Sequence, residues 1–278
     1  MGRVKMTMLA GTAAIMSSAA AAADLPPVYA PVRAPVVEEF SGWYLRGDIG
    51  FSNQRVGSLF NNQVNNSTPG ITLVNVDKSF DAAPFFGLGI GFQFNNWLRF
   101  DVTGEFRSRA NFHGLDVVTV AGIGSQPDVY SASKSEWLVL ANVYADLGTW
   151  WCLTPFVGAG VGFARNTIHS FVDFATNVAP DPASGSTGFA REASKWDFAW
   201  ALHAGLAYRA TPGLTIELAY RYVELGDART GDLVNFDGTQ NLGPMHFKDL
   251  TSHDVKLGVR WSLQPEPVRY MPPLVTKG

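Results

Sequence analysis

The stretch from Phe86 to Arg107, FGLGIGFQFNNWLRFDVTGEFR, holds two alternating runs on either side of a polar break. Phe86, Leu88, Ile90, Phe92 and Phe94 alternate with Gly87, Gly89, Gly91 and Gln93. After Asn95 and Asn96 the alternation resumes in Leu98, Phe100, Val102 and Phe106. A period of two is the signature of a strand, and two such strands about a short break make a hairpin. The second face of the hairpin carries Arg99, Asp101, Thr103, Glu105 and Arg107, so an apolar wall is backed by a file of charges. In a soluble sandwich the apolar face points into a core, whereas in a transmembrane barrel it meets lipid and the charged face meets an enclosed lumen.

Register follows from the same stretch. A two-residue turn would pair Ile90 with Asp101 and Phe92 with Arg99, placing charges in lipid at about 2 to 4 kcal/mol each near the midplane. An odd loop, Asn95 to Trp97 or slightly longer, pairs Phe92 with Phe100 and Ile90 with Val102.

Working outward, further alternating segments appear. Residues 42–53 set Trp43, Leu45, Ile49 and Phe51 against Tyr44, Arg46 and Asp48; residues 135–147 set Trp137, Val139, Val143 and Ala145 against Glu136, Asn142 and Asp146. Val157, Ala159, Val161 and Phe163 alternate with Gly158, Gly160, Gly162 and Ala164. Trp196, Phe198, Trp200, Leu202, Leu206 and Tyr208 face away from Asp197, His203 and Arg209. Leu214, Ile216, Leu218, Tyr220 and Tyr222 oppose Thr215, Glu217 and Arg221, and finally His253, Val255, Leu257, Val259 and Trp261 oppose Asp254, Lys256, Gly258 and Arg260. Eight strands are expected, with irregular connections at 54–84, 108–133, 166–195 and 226–250 and short turns between them. That rhythm predicts an all-β fold: an eight-stranded antiparallel up-and-down transmembrane β-barrel with four long extracellular loops and short periplasmic turns.

The ends and totals agree with export. Arg3 and Lys5, an apolar stretch from Met6 to Ala20 and the small residues Ala21–Ala23 read as a signal peptide over 1–23. Pro26, Pro27, Pro31 and Pro35 make 24–40 a Pro-rich periplasmic leader. The barrel is expected over 41–263, and 264–278, with Pro265, Pro267, Pro272 and Pro273, as a Pro-rich periplasmic tail. No later run of about 18 apolar residues suggests a membrane helix. A net charge of −3 argues against nucleic acid, and a single cysteine, Cys152, offers neither a disulfide nor a zinc motif. No cofactor or metal is expected.

The chain resembles the small eight-stranded barrels of the outer membrane protein A-like superfamily, and within it the porin-like outer membrane immunogenic proteins. The residues carrying the resemblance are Ala21-Ala22-Ala23-Asp24-Leu25-Pro26-Pro27, Ser41-Gly42-Trp43-Tyr44-Leu45-Arg46-Gly47 and Gly91-Phe92-Gln93-Phe94-Asn95-Asn96-Trp97. It implies a Gram-negative outer-membrane location, surface exposure and no enzyme activity. It also implies contact with outer-membrane lipid and lipopolysaccharide, with the membrane-insertion machinery, and of the termini with the cell wall. Such proteins usually end on an aromatic residue that the insertion machinery reads. Here that signal is expected inside the last strand, at Val255, Leu257, Val259 and Trp261.

The candidate site is the lumen: Arg46, Asp48, Arg99, Asp101, Glu105, Arg107, Glu136, Asp146, Asp197, Arg209, Glu217, Arg221, Asp254, Lys256 and Arg260, with Arg165 also read as inward. Eight strands leave an interior just wide enough for side chains, so a mutually paired network is expected. Trp43, Trp97, Trp150, Trp151, Trp196 and Trp261 are expected as interfacial aromatics. Among five His, the adjacent pair His169-Ser170 is weighed as base and nucleophile, and with no acidic partner near in sequence it is read as non-catalytic. The leading reading is a structural surface barrel, antigen or adhesin-like. A narrow diffusion channel, suggested by the glycine files, is second, and a lipid A-modifying enzyme third.

Overall fold

The computed structural model describes residues 42–61, 71–122, 124–175, 186–238 and 241–263; the expected signal peptide, leader and tail lie outside them. Eleven strands are present among the described residues: β1 (Gly42–Asn61), β2 (Ile71–Phe80), β3 (Ala83–Gln93), β4 (Leu98–Val120), β5 (Gly124–Asp146), β6 (Leu153–Ala175), β7 (Ser186–Ala190), β8 (Ala193–Thr211), β9 (Leu214–Glu224), β10 (Ala228–Asn235) and β11 (Asn241–Ser262). Eight close an antiparallel ring, β1-β3-β4-β5-β6-β8-β9-β11, and β11 pairs back onto β1 from Tyr44↔Ser262 to Asn61↔Met245. Closure removes every free edge, the condition for strands in hydrocarbon. The opening hairpin has the odd register: Phe92 pairs with Phe100 and Ile90 with Val102. Its turn is fixed by the Asn95 carboxamide oxygen, which accepts from the backbone amides of Trp97 (2.9 Å) and Leu98 (2.7 Å).

Crossing the hydrocarbon takes about 9 to 11 tilted residues. The outward apolar file of β1, Trp43 to Phe51, has that length, yet β4, β5 and β6 each run 23 residues. The surplus builds a second storey. Above the wall β3, β8 and β9 end, and β2, β7 and β10 take their places: β2 pairs with β4, β7 with β6 and β10, and β10 with β11. At the remaining junction the Lys78 ammonium of β2 reaches the Gly57 carbonyl of β1. Most of the expected loops at 54–84, 108–133, 166–195 and 226–250 are therefore strand.

The two storeys have opposite polarity. On β4, Phe100 and Val102 face outward while Arg99, Asp101, Glu105 and Arg107 are buried; beyond a register slip between Arg107 and Ala110, Phe112 is buried and Asn111 and His113 are exposed. An extra residue shifts the phase where lipid gives way to water. The upper storey thus encloses an apolar core in which Phe112 meets Phe80 and Phe247 at 5.0 Å each, and Tyr130 stacks on Phe171 at 5.8 Å.

Candidate functional site

The lower interior centres on Arg46 and Glu217. Arg46 donates to Asp101 (2.6 Å), Asp48 (2.9 Å) and Glu217 (3.3 Å), while Glu217 also takes Arg260 (2.6 Å) and Arg99 (3.2 Å). Arg99 reaches Asp146 at 3.1 Å and lies over the rings of Tyr144 and Phe156 at 4.2 and 4.6 Å. Lys256 stands 3.5 Å from Asp48. Asp101 is held further by the Tyr44 hydroxyl (3.1 Å) and the Asn142 carboxamide (2.8 Å).

The upper interior is a second cluster. Arg221 forks onto both oxygens of Glu105 at 2.6 Å and reaches Asp254 at 2.8 Å. Arg107 bonds Asp254 at 2.7 Å and contacts Glu136, which also holds Lys134. The guanidinium groups of Arg107 and Arg221 lie 5.1 and 5.2 Å from the ring of Phe85. In these two clusters seven buried or nearly buried cations, Arg46, Arg99, Arg107, Lys134, Arg221, Lys256 and Arg260, meet seven carboxylates, Asp48, Asp101, Glu105, Glu136, Asp146, Glu217 and Asp254. Lone charges there would each cost several kcal/mol, so matched number and contact are what burial requires.

The space beside the glycine files is occupied. A Cβ on Gly91 would run into the Tyr44 ring, and one on Gly87 would come within 2.6 Å of Glu105 Cγ. Missing side chains on one strand are filled by large ones from its neighbours. Above the upper cluster the way out is closed by the apolar core of Phe112, Phe171 and Phe247, all at most 1% exposed.

Three charges expected in the lumen are elsewhere. Arg209 is exposed at the end of β8, where the register slips before Thr211 and its amide bonds Cys152 at 3.0 Å. Asp197 is on the inward face, but at the upper rim; its carboxylate, 30% exposed, takes Lys195 at 2.7 Å and the Asp227 amide at 2.9 Å. Arg165 shares the outward file of Val161 and Phe163 and is exposed, as the period of two from Val157 requires. Conversely, Lys134 and Gln54, bonded to each other at 2.9 Å, belong to the upper cluster and lay at the margins of segments read as loops.

Of the tryptophans, Trp43, Trp97 and Trp261 are exposed on the short-turn side of the wall, with Trp150 and Trp151 in the turn between β5 and β6. Trp196 lies on the opposite rim, in one register row with Trp137 and Arg165. Of the histidines, His203 is buried against Asn142 (3.2 Å), His253 bonds Tyr220 on the outer wall (2.6 Å), His246 stands beside Phe60, and His113 is 3.9 Å from Asp81. His169 does have an acidic partner. Its Nδ1 lies 2.6 Å from Glu192, and its Nε2 lies 2.8 Å from the hydroxyl of Ser135, not of Ser170.

Comparison with known proteins agrees with the closed ring. Over 225 residues, 75% of this chain and 76% of the relative, it is 33% identical to an uncharacterized protein of Brucella suis biovar 1. It is 26% identical over 236 residues, 80% of this chain and 88% of the relative, to a Rickettsia typhi protein named "Putative adhesin". The crystal structure of Neisserial surface protein A aligns over 80% of this chain and 99% of that one at 14% identity, with a TM-score of 0.41, too low to carry an argument. The model of the outer membrane protein beta-barrel domain matches residues 9–262, and the chain belongs to that family, whose place is the Gram-negative outer membrane.

Proposed function

We propose that this protein is a sealed surface barrel, whose lower storey is an anchor in outer-membrane lipid and whose upper storey is a rigid contact surface outside the cell, in the manner of a surface antigen or adhesin. The observation that carries this reading is the buried apolar core stacked over a lower interior of matched charges. Such an interior obstructs ion passage, and each carboxylate of the two lower clusters already holds a cation. In barrels of this kind the turns are periplasmic and the longer segments extracellular, which puts the second storey outside. The relative named "Putative adhesin" supports the same reading. The exposed file Val255, Leu257, Val259 and Trp261, next to the closing seam with β1, serves as the signal for the insertion machinery.

Planar-bilayer recording tests the seal: the folded protein gives background current, and a steady salt-dependent conductance would refute it. Protease added to intact cells tests the placement, since cleavage is expected in the upper storey and nowhere in the wall.

A further inference from the structure

Outside the interior, one cluster of side chains has the geometry of a nucleophile, a base and an orienting acid. Ser135 on β5, His169 on β6 and Glu192, in the two-residue link before β8, form a chain: Ser135 Oγ to His169 Nε2 at 2.8 Å, His169 Nδ1 to Glu192 Oε2 at 2.6 Å. Both distances lie in the range expected of a Ser-His-acid constellation, which is recognised by geometry and not by chain order. The imidazole is 9% exposed, whereas the Glu192 side chain is 59% exposed and Ser135 is half-buried, so the cluster opens to the outside.

The local backbone is shaped around the histidine. Ser170 has φ of 50°, a left-handed conformation that a serine seldom adopts, and the β5–β6 register slips at this point. The bulge lets Ile168 and Phe171 both face the interior while His169, between them, faces outward beside Ser135. Strained residues and bulges of this sort concentrate where a side chain must be aimed.

The site's height names its substrate class. Ser135 lies two residues along β5 from Trp137, about 7 Å of strand, and Trp137, Arg165 and Trp196 form the outward row at the rim of the wall. The triad therefore stands at the level of lipid headgroups and acyl carbonyls, just beyond the hydrocarbon. Across the strand from Ser135 is Thr167, whose hydroxyl is 2.9 Å from that of Ser194 on β8, and Ser194 also meets the exposed Arg165 guanidinium at 3.4 Å. The exposed Arg165 cation can receive an anionic headgroup at the same rim.

We propose that Ser135, His169 and Glu192 form an outward-facing acyl-ester hydrolase site acting on an anionic lipid of the outer leaflet. The Ser135 Oγ attacks the ester carbonyl carbon as its proton passes to His169 Nε2. The C–O bond to the alcohol then breaks, and that proton leaves with the alcohol. Water, deprotonated by His169, attacks the acyl-serine, releasing a fatty acid and restoring the Ser135 hydroxyl. Glu192 is a positioning residue that holds the imidazole tautomer.

The test uses the full chain folded in vesicles, with gel mobility confirming the fold of each variant. Wild type is expected to bond a serine-directed fluorophosphonate at Ser135 and to release fatty acid, with Ser135→Ala and His169→Asn lowering release by roughly 100-fold or more. Glu192→Gln should lower it and Glu192→Asp restore part of it. Vesicles of phospholipid alone and vesicles containing lipopolysaccharide identify which ester is cleaved. Release from neither, or equal release by folded Ser135→Ala, overturns the proposal.

Discussion

Glu105→Ala probes the interior most directly. Both oxygens of Glu105 receive the Arg221 guanidinium at 2.6 Å, with each side chain 1% exposed. Without Glu105, Arg221 keeps only Asp254, which Arg107 already holds at 2.7 and 2.8 Å. Three buried cations, Arg107, Arg221 and Lys134, then share two carboxylates, Asp254 and Glu136. Breaking one side of a buried pair costs about 3 to 5 kcal/mol, or roughly two to four decades in the folding equilibrium. Removing both partners, in Glu105→Leu with Arg221→Leu, leaves no orphan charge and should cost far less. Urea unfolding in vesicles, followed by tryptophan fluorescence and gel mobility, measures both. The single variant should also stay at background conductance, because the apolar core above it is untouched. A single variant as stable as wild type, or a double variant as unstable as the single one, would refute the charge-pairing argument.

Three further outcomes are expected. Phe247→Ala empties the centre of the upper core, where the ring meets Phe112 at 5.0 Å and Phe171 at 6.1 Å. It should cost about 3 to 5 kcal/mol and speed proteolysis of the upper storey without changing the mobility of the wall. Leu88→Arg, at a position 73% exposed on the wall, should cost about 2 to 4 kcal/mol in vesicle unfolding, whereas Asn53→Arg, exposed beyond the apolar file of β1, should change stability by under about 0.5 kcal/mol. In the upper storey, burial pushes the Asp173 carboxyl up to about 9, helped by its hydrogen bond with Asp128 and the negative charges of Asp128 and Asp116. The folded state then keeps a proton that the unfolded chain loses above its ordinary value of 3.8, so stability falls as pH rises from about 4 toward 9. Asp173→Asn should flatten that slope in urea midpoints measured across the range.

The wall was legible because lipid and lumen impose opposite demands on successive residues. Val102 and Asp101 could not exchange faces without burying an apolar side chain among charges and placing a carboxylate in hydrocarbon, so period and register were fixed together. Partners within the lumen were not legible. Arg46 bonds Asp101 on β4 and Glu217 on β9, and such contacts depend on the shear of the closed ring, which no single strand encodes. Arg209 keeps the inward parity of β8 and pairs with Thr215, but it sits exposed at the open end of the strand, which alternation alone does not mark.

The upper storey escaped notice for a different reason. The pattern on β4 does not fade beyond Arg107 but inverts, and the slip between Arg107 and Ala110 shifts its phase in the same step. A search for apolar-out alternation sees noise there, although Phe112 and its neighbours form one contiguous buried core. The change of sign is itself the marker of the membrane boundary, since one face must be apolar in lipid and the other in water. His169 lies just beyond that boundary, where its wall has ceased to be lipid-facing but has not yet become ordinary solvated surface. Its partners are 34 residues back in Ser135 and 23 ahead in Glu192. Adjacency in sequence pointed to Ser170, but in a ring of antiparallel strands the residues that meet are those at equal height.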